Sequence, residues 1–382
     1  MENVLYVGFY SKKTTAVKRT ENIAASRKME YIANELKIIN QNSKIISTSC
    51  AECTGYTGRF QYVKEEERTD DGITAVYTPS WRSRNKIIKK LSILYSLVWL
   101  FFYLLKQAGK KDTVVVYHMP LLSVPVRLAK RFKHFRLILE VEEVYADIWE
   151  KYKKYRRGEQ KLIFVADYFI FASELLQKKL DPQKQRSMVI YGEYKLFAAK
   201  KESATNEIGL IYAGSIDVIK NGAFIAVECM KYLPTQYKLT VLGHGTERNV
   251  EKLKKGIEEI NSIKGTDCCR YLGVLHGNEL SCKLIENDIG LNPQNTGDYM
   301  ETAFPSKIMV YLNHGLRVVS TPVASVHSSR VAEAITFASS ADPKEMAEAV
   351  LYASQNNCNV TKLLSGLRNE CVSQLRNMVI NE

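Results

Sequence analysis

The chain carries IGLIYAG at residues 208–214, KLTVLG at 238–243, CRYLGV at 269–274, DIGLNP at 288–293 and LRVVST at 316–321. Between these short apolar runs lie longer stretches with apolar residues at helical spacing, over 221–232, 247–260, about 278–286 and 306–313. Continuous apolar strands alternating with helices predict a parallel sheet covered on both faces. The same rhythm runs back toward the N-terminus. NVLYVGFY (3–10) reads as a strand and 21–39 as a helix; KIIST (44–48), GITAVYT (72–78), DTVVVYH (112–118), RLILEV (136–141), YFIFAS (168–173) and SMVIYG (187–192) follow as strands. The two series part at the polar stretch AAKKESATNE (198–207). The expected fold is therefore α/β, with two doubly wound Rossmann-like domains over 1–200 and 205–360. A terminal helix over 361–382 has no strand after it and can pack back on the first domain. No period of 20 to 50 residues repeats, which excludes solenoids and propellers.

Composition narrows the class. Of 382 residues, 46% are hydrophobic, 25% charged and 10% aromatic, which excludes collagen, coiled coil and a disordered chain. Eight cysteines are too sparse for a disulfide framework, and the opening MENVLYVGFY has no basic stretch before an apolar core. The expected setting is a reducing cytoplasm. Cys50 and Cys53 form a lone pair without a second pair at zinc spacing, and no HExxH occurs, so no metal site is expected.

The net charge of +13 is unevenly placed. Residues 1–200 hold 36 Lys and Arg against 21 Asp and Glu, whereas 201–382 hold 18 against 20. The first half thus fits an anionic partner, either nucleic acid or a membrane surface, or it is simply a solvated face. No RNP, KH, zinc-finger or helix-turn-helix signature supports nucleic acid. LSILYSLVWLFFYLL (91–105) bears on the membrane. Fifteen residues reach only about 22 Å, short of the roughly 30 Å hydrocarbon core. The stretch is either a buried helix or one lying in the interface between Arg82, Arg84, Lys86, Lys89, Lys90 and Lys106.

In open parallel sheets, ligands bind beyond the carboxyl ends of the strands. The loop after LIYAG holds Gly214, Ser215, Lys220, Asn221 and Gly222 and runs into a helix. Small residues, free amides and one lysine make a diphosphate site, or else a tight turn with a surface lysine. In the second loop, Glu301, Thr302, Ala303, Phe304, Pro305, Ser306 and Lys307 precede IMVYLNHG. Pro305 suits the first helical position, which leaves the amides of Ser306, Lys307 and Ile308 free for phosphate. A carboxylate just ahead suits a ribose diol.

IYAGSIDVIKNG (211–222), LTVLGHG (239–245), YLGVLHGNEL (271–280), NDIGLNP (287–293) and FPSKIMVYLNHGLRVVSTPV (304–323) appear in that order. Together they resemble the nucleotide-sugar half of family 4 retaining glycosyltransferases, which have the GT-B architecture; the likeness covers about 208–350. VVVYHMP (114–120), LILEVEEVYADIW (137–149) and ADYFIFASELLQKKL (166–180) are more loosely similar to the acceptor half. The resemblance implies two domains facing each other across a cleft. It also implies a nucleoside diphosphate sugar as donor substrate, with no further cofactor and no metal. On matching positions, Gly214, Ser215 and Lys220 would face the diphosphate, Gly273, Val274 and Leu275 the base, and Phe304, Pro305, Ser306, Lys307 and Ile308 a phosphate. The match departs at Ser215, where the group often has arginine, and at Thr302 and Val310, where it often has glutamates; Glu301 lies one residue before the first.

In the first half, Gly8 ends the opening strand, and Lys12, Lys13, Lys18 and Arg19 form a basic loop that the resemblance places near donor phosphate and acceptor. His118 ends its strand, where it meets substrate or is structural. Glu140, Glu142 and Glu143 lie at the end of the next strand; Glu142 and Glu143 are candidates to orient an acceptor hydroxyl, or the three form a salt-bridged solvent edge. Gly243 opens a turn that lies beside substrate or is only a turn.

The expected activity is transfer of a sugar, with retention, to a saccharide acceptor, lipid-linked and held at the inner membrane surface, in exopolysaccharide, capsule or O-antigen assembly. His118, Lys220, Glu301 and Lys307 are the candidate catalytic residues. The rivals are a nucleotide-sugar 2-epimerase of the same architecture, using His118, His244 and His276, and a non-catalytic binder of anionic surfaces.

Overall fold

The computed structural model describes residues 2–12, 17–20, 22–40, 42–53, 56–148, 150–197, 206–295, 302–356 and 360–380. The chain divides into two units. One comprises Met1–Ala172, Leu176–Glu193 and Asn369–Glu382; the other comprises Ser173–Leu175 and Tyr194–Arg368.

The first unit contains β1 (Val4–Gly8), β2 (Ser43–Ser47), β3 (Gln61–Val63), β4 (Glu66–Arg68), β5 (Thr74–Tyr77), β6 (Ser80–Arg82), β7 (Thr113–Tyr117), β8 (Arg136–Val141), β9 (Tyr168–Phe171) and β10 (Ser187–Val189). Eight of them form one sheet in the order β10-β9-β8-β7-β1-β2-β5-β4, while β3 and β6 pair separately. Every pairing in the sheet is parallel except that of the edge strand β4. On one face, Val7, Val114, Val116, Leu137, Leu139 and Phe169 pack with Leu100, Leu104, Val126 and Leu162 from the covering helices.

The second unit contains β11 (Ile208–Ala213), β12 (Tyr237–Leu242), β13 (Cys269–Tyr271), β14 (Ile289–Asn292), β15 (Arg317–Ser320) and β16 (Ile335–Phe337). They form an all-parallel sheet ordered β13-β12-β11-β14-β15-β16. The chain winds from β11 outward through β12 to β13, then returns to β14 on the other side of β11. That reversal makes the gap between β11 and β14 the topological switch point, where the two following loops diverge. In the first unit the reversal falls between β1 and β7.

Four strands escape the sequence reading. β3, β4 and β6 are three-residue pieces, all outside the parallel core, and Glu66–Arg68 is charged as edge strands often are. β16 is likewise three residues long. The apolar helix departs further. It spans Lys86–Gln107, started by Asn85, whose side chain accepts from the Ile87 amide. Twenty-two residues reach about 33 Å, so length does not exclude a span as the apolar run had indicated. Nor is the helix core, for only Ser92, Ser96, Leu100 and Leu104 are buried. The terminal helix, Val360–Val379, ends in the first unit, where Arg136 Nη1 donates to the Met378 carbonyl at 2.8 Å.

Candidate functional site

The loops at the switch point of the second unit are tied together by backbone bonds. The Gly214 amide donates to the Leu242 carbonyl at 3.0 Å and the Gly243 amide to the Gly273 carbonyl at 2.8 Å. The loops after β11, β12 and β13 thereby lie side by side at the carboxyl end of the sheet. Gly243, at φ 143°, has room for nothing larger, since a Cβ there would sit 1.7 Å from the Gly214 carbonyl oxygen. Across the switch point, the Asn295 amide donates to the Lys220 carbonyl at 2.8 Å and joins the loop after β14 to the one after β11.

The loop after β11 is shaped by Asp217, a residue the sequence reading passed over. Its carboxylate accepts from Ser215 Oγ (2.7 Å) and from the Ile219 and Lys220 amides (3.1 and 2.7 Å). Burial opposes its ionisation, but these donors hold its carboxyl below the usual carboxylate value. Asn221 then adopts the left-handed conformation at φ 58°. Gly222 opens the helix Gly222–Cys229 where a Cβ would meet the Pro293 carbonyl at 2.4 Å.

Lys307 comes from the opposite side. Its Nζ lies 4.2 Å from the Tyr212 ring centroid and 3.0 Å from where a Gly214 Cβ would stand. Burial, with the positive charge of Lys220 nearby, lowers its pKa to about 7. Tyr212 Oη donates to the Ser215 carbonyl at 2.9 Å, so the ring that lies against Lys307 also braces the glycine loop. The structure thus brings together Gly214, Ser215, Lys220, Gly243, Gly273 and Lys307. Val274 is exposed and Leu275 half-buried on the loop next to Gly273.

The start of the helix Lys307–Asn313 corrects the expected pattern. Ser306 is the N-cap, so Pro305 stands ahead of the helix rather than at its first position. The Ile308 amide is not free, for it donates to the Pro305 carbonyl at 3.0 Å, and the Ile308 side chain is fully buried. Of the three amides expected to be free, those of Ser306 and Lys307 have no backbone acceptor among the described residues. Phe304 is buried, while the carbonyls of Thr302 and Ala303 accept from Ser173 Oγ and Ser325 Oγ at 2.5 and 2.7 Å. Glu301 lies outside the described residues.

The first unit places its candidates differently. His118 is 1% exposed; its Nδ1 faces the Glu143 carbonyl at 3.2 Å and its Nε2 lies 3.5 Å from Glu159. Burial lowers its pKa to about 4 and keeps the ring neutral. It offers no surface to a substrate here and holds the turn after β8 in place. Glu142 is half-buried and bonds Lys28, whose Nζ also lies 3.7 Å from the buried Glu140. Burial raises the Glu140 carboxyl well above the usual range, and Tyr6 Oη donates to it. Glu143 follows at half-burial.

Gly8 is explained by packing, since a Cβ would meet Met29 Cε at 2.6 Å and Tyr117 Cβ at 2.9 Å. Two cations of the basic loop, Lys12 and Arg19, are taken up by carboxylates. Lys12 pairs with Asp70 at 2.5 Å, Lys18 lies 3.9 Å from Glu52, and buried Arg19 binds Glu65 through Nε and Nη2 at 3.0 and 2.6 Å. Lys13 lies outside the described residues.

Neither a family model nor a curated protein matches the chain. Solved structures do. HepE of Anabaena, solved with UDP and glucose, matches with a TM-score of 0.63 at 11% identity, over 98% of this chain and 100% of that one. An α,α-trehalose 6-phosphate synthase from Burkholderia multivorans matches at 0.62 and 10% identity, over 99% and 95%. The lipopolysaccharide outer core galactosyltransferase WaaB, in its apo form, matches at 0.61 and 11% identity, over 99% of each chain. At such identities the likeness establishes the fold, an α/β chain of two Rossmann-like units of the GT-B type.

Proposed function

We propose that the chain is a glycosyltransferase that moves a sugar from a nucleoside diphosphate sugar, with retention, to a saccharide acceptor. The observation that carries this reading is Lys307, a buried amine set against Gly214 and Tyr212 at the switch point of the second unit, with Lys220 beside it. Two cations and a side-chain-free backbone converge there without a carboxylate bound to Lys307 among the described residues. A diphosphate supplies the missing counter-charge. The structural neighbours add support, HepE having been solved with UDP and glucose.

As the bond between sugar and diphosphate breaks, negative charge grows on the leaving oxygen. Lys307 and Lys220 stabilise that charge in a site already desolvated, where one such group is worth about 3 kcal/mol of barrier. With front-face attack, the acceptor hydroxyl forms the new bond on the face that the diphosphate leaves, and its proton passes to the departing phosphate oxygen. No metal is assigned to this step. In the first unit, Glu142, paired with Lys28, is the residue proposed to orient the acceptor. The acceptor class we favour is a lipid-linked saccharide of exopolysaccharide, capsule or O-antigen synthesis, met by a peripheral enzyme on the cytoplasmic side of the membrane.

Incubating the protein with UDP- and GDP-sugars and extracted lipid-linked saccharides tests the reading. Nucleoside diphosphate release that requires acceptor, with the donor's anomeric configuration kept in the product by NMR, supports it. Epimerisation of UDP-GlcNAc without any acceptor points to the isomerase instead, and nucleotide-sugar binding without turnover on any acceptor to a non-catalytic binder.

A further inference from the structure

The helix Lys86–Gln107 lies on its sheet the wrong way round for a water-facing helix. At about 100° per residue, its buried residues Ser92, Ser96, Leu100 and Leu104 form one stripe, polar for half its length. Ile87, Leu91, Leu94, Val98 and Phe102 occupy an arc of about 80° on the opposite side, each 46% to 67% exposed. A surface helix of a water-soluble protein normally has the reverse arrangement. The helix Ser123–Lys133 packs against it and continues the surface with exposed Val124, Leu128 and Phe132, spaced four apart. Phe132 and Phe101 approach to 6.5 Å between ring centroids. The third helix, Arg156–Val165, packs on the second and presents Phe164 at 88% exposure.

The ends of this surface are cationic. Lys86, Lys89 and Lys90 stand exposed at one end of the first helix and Lys106, Lys110 and Lys111 at the other, none in an ion pair among the described residues. Arg131 and Lys161 are exposed on the two neighbouring helices.

We infer that these three helices form the face by which the first unit seats on an anionic phospholipid bilayer, lying in the interface plane without crossing it. The basic ends choose the occupant. Two copies meeting through this face would set like charges together, whereas acidic headgroups neutralise them while the apolar arcs enter the acyl boundary. Crossing is opposed by Leu100 and Leu104, which are held in the core of the unit. The inference gives the proposed peripheral location a surface and a lipid class. Because it does not depend on nucleotide chemistry, it can fail while the transferase reading stands.

The experiment uses the full chain in vesicle flotation, with phosphatidylcholine alone and with added phosphatidylglycerol, while UDP binding and thermal unfolding are followed in parallel. Wild type floats with the anionic vesicles. The exposed-face variant Leu94→Ser/Val98→Ser/Phe102→Ser and the charge variant Lys86→Gln/Lys89→Gln/Lys90→Gln should each bind them at least about tenfold more weakly, with UDP binding unchanged. The charge variant keeps the test decisive if the serine variant fails to fold. Equal flotation of wild type and both variants overturns the inference. So does attachment that survives alkaline carbonate extraction, which marks a spanning helix, and so does a wild-type dimer that the serine variant dissolves without any vesicle binding.

Discussion

Lys307 is a buried amine whose charge is sensitive to its surroundings. Its ammonium is buried against Tyr212 and repelled by Lys220, so that near neutral pH it is only partly protonated. On the proposed function, a bound diphosphate restores the proton by pairing with it. Affinity for UDP or GDP is therefore full below pH 7, where the free protein already holds the proton. Above pH 7 each binding event must take one up, and affinity falls by up to about tenfold per pH unit. Calorimetric titration from about pH 6 to about pH 9 should show this slope in the wild type and its loss in Lys307→Met.

Glycine 243 makes the second residue-scale test. Alanine there collides with the Gly214 carbonyl at 1.7 Å, whereas Gly265 shares a positive φ but has open space around it. In urea unfolding, Gly243→Ala should cost about 3 kcal/mol or more and Gly265→Ala about 1 kcal/mol, the second being strain alone. The positions of Gly214, Gly243 and Lys307 beyond the ends of strands were legible, because the apolar runs mark where those strands stop. Asp217 and Tyr212 were not legible, since their work is to shape a loop through contacts that depend on its folded path. The burial of His118 also escaped the sequence, because a strand-end histidine reads the same whether the next turn covers it or leaves it open.

At the scale of elements, helices and central strands could be read directly from their periodicity, and the short strands β3, β4, β6 and β16 could not. The helix Lys86–Gln107 shows why an apolar run underdetermines its own environment. It is apolar on nearly every side, so the sequence gives no face preference; the fold turns Ser92 and Ser96 inward and leaves Leu94, Val98 and Phe102 outside. Paired substitutions separate the two sides. Leu100→Ala should lose about 2–5 kcal/mol of stability by opening a cavity, while Phe102→Ala should change it by less than about 0.5 kcal/mol. Chemical denaturation of both variants reads the difference, and equal losses would place both residues in the core.

Over the whole molecule, charge is divided unevenly along the chain. The excess of Lys and Arg belongs to residues 1–200, where surface cations border the apolar helices, while Lys12 and Arg19 of the basic loop are paired internally. The near-neutral remainder of the chain sets Lys307 and Lys220, with Asp217 nearby, at the switch point of its sheet. That division was visible in the charge count, but not which cations were free, since pairing partners such as Asp70 and Glu65 lie more than 40 residues away along the chain. The most direct test is equilibrium titration of UDP and GDP into wild type and Lys307→Ala at neutral pH, with circular dichroism to confirm the fold. Saturable binding of at least one of them, weakened about tenfold or more by the substitution, is the predicted result. Binding of equal strength in both proteins, or none in the wild type, would contradict it.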